Sequence, residues 1–272
     1  MSHHDTLDDH DRGLSHDLPT LLSRRRLLTL IGGAGAVALA GCATSAGPEA
    51  ATAATATASA GATDPTAKIP EETAGPYPGD GSNGANVLTE SGIIRGDITK
   101  SFGSASAVAQ GIPLTIVLKV LDTKSGSTPL VGAAVYVWHC DMSGRYSLYS
   151  NGVTQENYLR GVQETRSDGS VTFASIYPGA YSGRWPHIHF EVYPSLAKAT
   201  TASGKLRTTQ LALPEDVSKL VYATDGYDAS VVNLARSSLS TDNVFGDGYS
   251  LQLATLTGTV AGGLTATLNV PV

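Results

Sequence analysis

The chain has 272 residues, 41% of them hydrophobic and 15% charged, and a formal net charge of −6. That balance excludes a disordered polyelectrolyte and leaves enough apolar material for a sizeable core. Beyond Arg24 to Arg26 there is no run of Lys or Arg, so no DNA or RNA partner is expected.

Near the N-terminus, Ser23-Arg24-Arg25-Arg26-Leu27-Leu28 precedes an apolar, Gly/Ala-rich run from Thr29 to Ala40. Basic residues followed by a short apolar segment have the order of an export signal. Arg24 and Arg25 resemble a twin-arginine pair, a route that carries proteins already folded and so suits a cofactor loaded before export. Leu39-Ala40-Gly41-Cys42 resembles a lipobox, in which Cys42 is acylated and becomes the new N-terminus. The expectation is a signal over residues 1–41 and a lipid anchor at Cys42 on the outer face of a membrane, or a secreted protein if Cys42 is not acylated. A spanning helix fits less well, because about 20 apolar residues are needed and this run is shorter and interrupted by glycines.

Residues 42–66 are expected to form an Ala/Thr-rich tether, since they hold too few large apolar groups to offset chain entropy. As a flexible coil this tether spans on the order of 25–30 Å. The folded domain is then 67–272. Cys42 and Cys140 are the only cysteines, and their settings, one beside the signal and one in a strand pattern, give no disulfide framework.

From Thr66 onward, short β-type runs alternate with Gly, Pro, Asn and Asp, and no long 3.6-residue period appears. Strands are expected at Pro113 to Leu121, Ala133 to Trp138, Ser170 to Ile176, His187 to Tyr193, Leu206 to Leu213, Tyr249 to Thr257 and Leu264 to Val270. Helix is expected only in short connecting pieces such as Pro214 to Val221. So many short strands predict an all-β fold, a β-sandwich with long loops and short connecting helices.

His187-Ile188-His189 falls within a strand pattern, where side chains alternate by face. Both imidazoles therefore point one way, with Ile188 buried on the other side, and one metal ion could take both. Alone, the motif equally suits zinc, copper or two surface histidines on an edge strand. It has company, however, in Val137-Trp138-His139-Cys140-Asp141-Met142-Ser143-Gly144-Arg145-Tyr146, in Ile176-Tyr177-Pro178-Gly179-Ala180-Tyr181, and in Arg184-Trp185-Pro186 directly before the histidines.

Together these motifs resemble the intradiol ring-cleavage dioxygenases, the family of protocatechuate and catechol dioxygenases. The likeness runs from about Glu71 to the C-terminus and includes Glu72-Thr73-Ala74-Gly75-Pro76-Tyr77, Arg95-Gly96-Asp97 and Thr208-Thr209-Gln210. It implies one non-haem Fe(III) ion bound by Tyr146, Tyr181, His187 and His189. Anionic phenolate oxygens suit that hard, highly charged ion, which lowers the tyrosine pKa in return. The resemblance further implies that a small aromatic diol chelates the ion and displaces Tyr181, that O2 attacks the ring, and that cleavage between the two hydroxyls gives a muconate-type product. Tyr181 and His189 are then axial, Tyr146 and His187 equatorial. Arg184 matches a family arginine beside the substrate and Gln210 a pocket glutamine.

Tyr149, Tyr158, Tyr177 and His139 are read as structural, although Tyr149 or Tyr177 could line the pocket. Between His189 and Gln210 lie Leu196 to Lys205, read as a surface loop that could reshape the pocket rim. Cytoplasmic catechol dioxygenases carry an N-terminal helical region for dimer contact, and this chain offers a signal and tether there, so helical dimerisation is unsupported. A reading from another class is a tethered, non-catalytic β-sandwich that binds a polysaccharide or cell-wall component. It needs no iron and no four convergent donors.

Overall fold

The computed structural model describes residues 67–272. The twin-arginine pair, the lipobox cysteine Cys42 and the tether expected over 42–66 lie outside the described residues.

Among the described residues nine strands form two sheets, as the sequence pattern leads one to expect of a sandwich. In the first sheet, β1 (Pro113–Asp122) pairs antiparallel with β5 (Ser170–Ile176) and, at its far end, with the two-residue β2 (Thr128–Pro129). On its other side β1 runs parallel to β9 (Gly263–Pro271), which pairs antiparallel with β8 (Thr255–Thr259). The second sheet has the order β4 (Arg160–Glu164), β3 (Ala134–Trp138), β6 (His187–Tyr193), β7 (Arg207–Ala212), with every pair antiparallel. Two eight-residue helices, α1 (Glu215–Tyr222) and α2 (Asp228–Ala235), follow β7.

The main core lies between the sheets. Leu114, Ile116, Leu118 and Val120 of β1 alternate inward with Leu264, Ala266, Leu268 and Val270 of β9. They meet Val135 and Val137 of β3 and Ile188, Phe190 and Val192 of β6 from the opposite sheet. Each such side chain contributes about 1.5–3 kcal/mol when fully buried.

Every residue of β3 and β6 is buried, because both faces of that sheet are covered. On its outer face Tyr136, Trp138, Tyr146 and Tyr193 pack with Val87, Leu88 and Ile93 of the long N-terminal segment. The two-residue alternation that sends Ile188 into the main core therefore sends His187 and His189 to this second, outer cluster.

Two expectations shift. The strand expected over 249–257 begins only at Thr255, since 249–254 makes a turn in which Gln252 and Leu253 donate backbone N–H groups to the Tyr249 carbonyl. Strand β4 and helix α2 are additions: Arg-Gly-Val-Gln-Glu carries little apolar alternation, and α2 is rich in β-branched Val.

Candidate metal and substrate site

Tyr146 and Tyr181 come from separate loops that brace one another. After β3, Asp141 Oδ1 accepts the backbone N–H groups of Ser143 and Arg145 at 2.9 and 3.0 Å, folding the turn that delivers Tyr146. Gly144 in this turn has φ +80°, and a Cβ there would sit 3.2 Å from Tyr181 Cβ, so the two loops meet at a position suited to glycine. After β5, Gly179 N–H donates to the Asp141 carbonyl at 3.0 Å, and the Cys140 thiol donates to the Gly179 carbonyl at 3.3 Å. Cys140 is free and buried.

The four donor side chains converge. His187 Nε2 lies 3.1 Å from His189 Nε2, 3.1 Å from Tyr181 Oη and 3.5 Å from Tyr146 Oη. Tyr146, His187 and His189 are buried, while Tyr181 is partly exposed and forms the open side. Among the described residues no group of three or more His, Cys, Asp and Glu gathers as a metal site; the convergent donors here are two phenols and two imidazoles.

This donor set fits a metal ion. Donors about 2 Å from one ion lie roughly 2.8–3.4 Å from their neighbours; His189 and Tyr181, each 3.1 Å from His187 Nε2, are spaced that way, and Tyr146 stands just beyond at 3.5 Å. His187 bonds the Trp185 carbonyl through Nδ1, which puts its hydrogen there and leaves the Nε2 lone pair facing the other donors. His189 Nδ1 is buried with no hydrogen-bond partner. Its ring stacks flat on Trp138, 4.9 Å away at 9°.

Burial disfavours every charged form at this point. It pushes the Tyr146 phenol well above its ordinary range, with Tyr181 adding to the effect. Burial likewise raises Tyr181 to about 12, although the Arg184 charge opposes it. Burial and then neighbouring positive charge, Arg184 for His187 and His187 for His189, hold both imidazoles well below their usual pKa. Neutral imidazoles are ready ligands, and phenols in such a pocket ionise only when a cation takes up the charge.

Arg184 is buried, not the solvated loop arginine that its sequence position allows. Its Nη2 donates to Gln210 Oε1 at 2.6 Å, its Nε to Asp242 Oδ2 at 2.9 Å, and its Nη1 lies 3.5 Å from His187 Nε2. Gln210 sits directly opposite His189 on β7, so the residues between them are absorbed by the β6–β7 connection without shifting the register. Gln210 Nε2 also donates to the Thr73 carbonyl at 3.0 Å. That bond holds the segment crossing the site, where a Cβ on Gly75 would come within 3.3 Å of His189 Cε1. Tyr77 from this segment packs on Tyr146, ring centroids 4.8 Å apart.

The residues read as structural are placed accordingly. Tyr177 hydrogen-bonds Ser218, Tyr158 donates to Asp141, and His139 bonds Ser175 and the Cys140 carbonyl. Tyr149 donates to Asn83 and accepts the Gly79 N–H. From the connection Leu196 to Lys205, read from the sequence as a surface loop, Lys205 reaches the buried Glu191 at 2.6 Å. Trp138 and Tyr77 stand within the motifs quoted above without a role of their own, and Asp242 carries no sequence signal.

A family model described as Dioxygenase matches residues 100–224. A curated relative, chlorocatechol 1,2-dioxygenase of Rhodococcus opacus, is 40% identical over 62 residues, which are 23% of this chain and 23% of that protein. Among solved structures, an intradiol ring-cleavage dioxygenase from Tetranychus urticae superposes with a TM-score of 0.55 at 27% identity, covering 67% of this chain and 87% of that one. Fold, motif order and these likenesses agree: the chain is similar to the intradiol ring-cleavage dioxygenases.

Proposed function

We propose that the protein is an Fe(III)-dependent intradiol dioxygenase, which cleaves a catechol-type ring between its two hydroxyls with O2 and forms a muconate-type dicarboxylic acid. The observation that carries this reading is the meeting of Tyr146, Tyr181, His187 and His189 at one buried point beside the Arg184 guanidinium. Those four residues would hold the iron. When bound, Fe(III) would supply Lewis acidity and a template for the diol.

The rest falls to the chain. Tyr181, the donor on the open side, would take up one of the diol protons at Oη. Arg184 presents Nη1 to the same space, where a fixed cation favours negative charge developing on the ring oxygens. Gln210 anchors Arg184 on one side and the Thr73 segment on the other. Trp138 holds the His189 ring in plane, and Tyr77 closes the aromatic wall beside Tyr146. Both atoms of O2 end in the product, one in each new carboxyl group.

The sequence signals at Arg24-Arg25 and Leu39-Ala40-Gly41-Cys42 support an enzyme exported as a lipoprotein, acting on diols outside the cell. The catalytic assignment is tested by incubating the iron-loaded protein with catechol under 18O2. Cis,cis-muconate carrying two 18O atoms and a 1:1 consumption of catechol and O2 support it. A product cleaved outside the diol, or no product from any catechol, removes it.

A further inference from the structure

We propose that Asp242, in the loop after α2, is a positioning residue that aims the Arg184 guanidinium at the reacting ring, an assignment that rests on the ring-cleavage reading. Asp242 lies 58 residues beyond Arg184 in sequence and outside the segment matched by the Dioxygenase family model. Its side chain is fully buried.

The carboxylate is held by backbone before it meets the arginine. Oδ1 accepts the N–H groups of Val244 at 2.9 Å and Phe245 at 3.3 Å, and Oδ2 accepts the Trp185 N–H at 2.7 Å. Three backbone donors thus fix its plane, a preorganised receptor built from main chain. Onto this plane Arg184 docks by its Nε edge, donating from Nε to Oδ2 at 2.9 Å and from Nη2 to Oδ1 at 3.3 Å. The second Nη2 hydrogen goes to Gln210 at 2.6 Å.

A guanidinium is planar, so fixing Nε and Nη2 fixes where Nη1 points. Nη1 is the end that approaches His187 Nε2, at 3.5 Å. The Trp185 N–H bond carries the same constraint into the chain just before His187. Asp242 therefore does two things. It neutralises a buried cation, and it leaves only one end of that cation facing the substrate space.

The test is a double-mutant cycle on the iron-loaded, full-length protein. It compares wild type, Asp242→Asn, Arg184→Met and the combination for kcat and KM with catechol. Asn keeps an oxygen for the Val244 and Phe245 N–H groups and sets an NH2 group against Arg184 Nε and the Trp185 N–H. Phenylglyoxal labelling, read by mass spectrometry, reports the freedom of Arg184 independently of turnover, and buried Arg160 serves as the folding control.

Asp242→Asn is expected to lower kcat about 10- to 100-fold with KM little changed. It should raise Arg184 labelling while Arg160 stays protected, and in the Arg184→Met background it should cost no more than about 2-fold. Wild-type kcat in Asp242→Asn, or an equal loss in both backgrounds, overturns the assignment. If Asp242→Asn does not fold, Asp242→Ser is judged by the same readouts. Absence of ring cleavage by the wild type itself is a different failure, which sinks the underlying reading.

Discussion

Arg160 on β4 binds Ser147 twice, donating to its hydroxyl at 3.0 Å and to its carbonyl at 2.9 Å, and so fixes the backbone immediately after Tyr146. The same guanidinium donates to the carbonyls of Tyr77 and Pro78, both at 2.9 Å, and to the Tyr136 hydroxyl at 3.0 Å. One buried cation therefore joins the loop of a candidate metal-site tyrosine to the segment that crosses that candidate site.

Replacing it with methionine leaves five oxygens without this donor. Arg160→Met is expected to destabilise the domain by about 3 kcal/mol or more. Chemical denaturation checks this, and a midpoint within error of wild type would show that the network carries little stability.

Tyr146→Phe removes one donor and keeps the ring volume. The fold is expected to survive, with a stability change under about 1.5 kcal/mol, while iron content or turnover drops about 10- to 100-fold. Iron analysis beside a thermal melt separates the two effects, and full activity in this variant takes Tyr146 out of the site.

Glu72 is half-buried and accepts from Gln252 Nε2 at 3.3 Å. Burial, then the charge of Asp247, raises its pKa from 4.5 to about 7 against the pull of Gln252 and Arg184, and Asp242 adds to the rise. The folded value lies above the unfolded one, so this contribution is complete below about pH 4.5 and is lost as pH climbs to about 7. Glu72→Gln cannot ionise. Its stability should gain on wild type across that window by on the order of 1 kcal/mol, after allowance for solvent screening. Thermal melts that stay parallel from pH 4.5 to 7 would contradict the assignment.

Cys42→Ala tests the anchor. If Cys42 is acylated, the variant should move from the membrane fraction to the soluble exported fraction. Membrane association that persists in the variant rules the lipid anchor out.

Much of the site was legible because strand alternation is a strong rule. The two-residue period around Ile188 separates a core face from a candidate ligand face, and the structure puts His187 and His189 on that second face, beside Tyr181 and Trp138. Tyr146 and Tyr181 sit in loops with no period, and only the likeness of their flanking motifs to a family pointed to them. Asp242 and Arg160 left no sequence trace. Asp242 reaches Arg184 through a loop folded back after α2, and Arg160 sits in a polar strand whose burial comes from a distant segment laid over it. Tertiary packing alone creates both relationships.

The most direct test of the central claim is metal analysis with a visible spectrum of the protein purified without chelator, before and after anaerobic addition of catechol. The account predicts one iron per chain, a tyrosinate-to-Fe(III) charge-transfer band, and a shift of that band as catechol displaces Tyr181. A colourless protein that cannot be loaded with iron would contradict it.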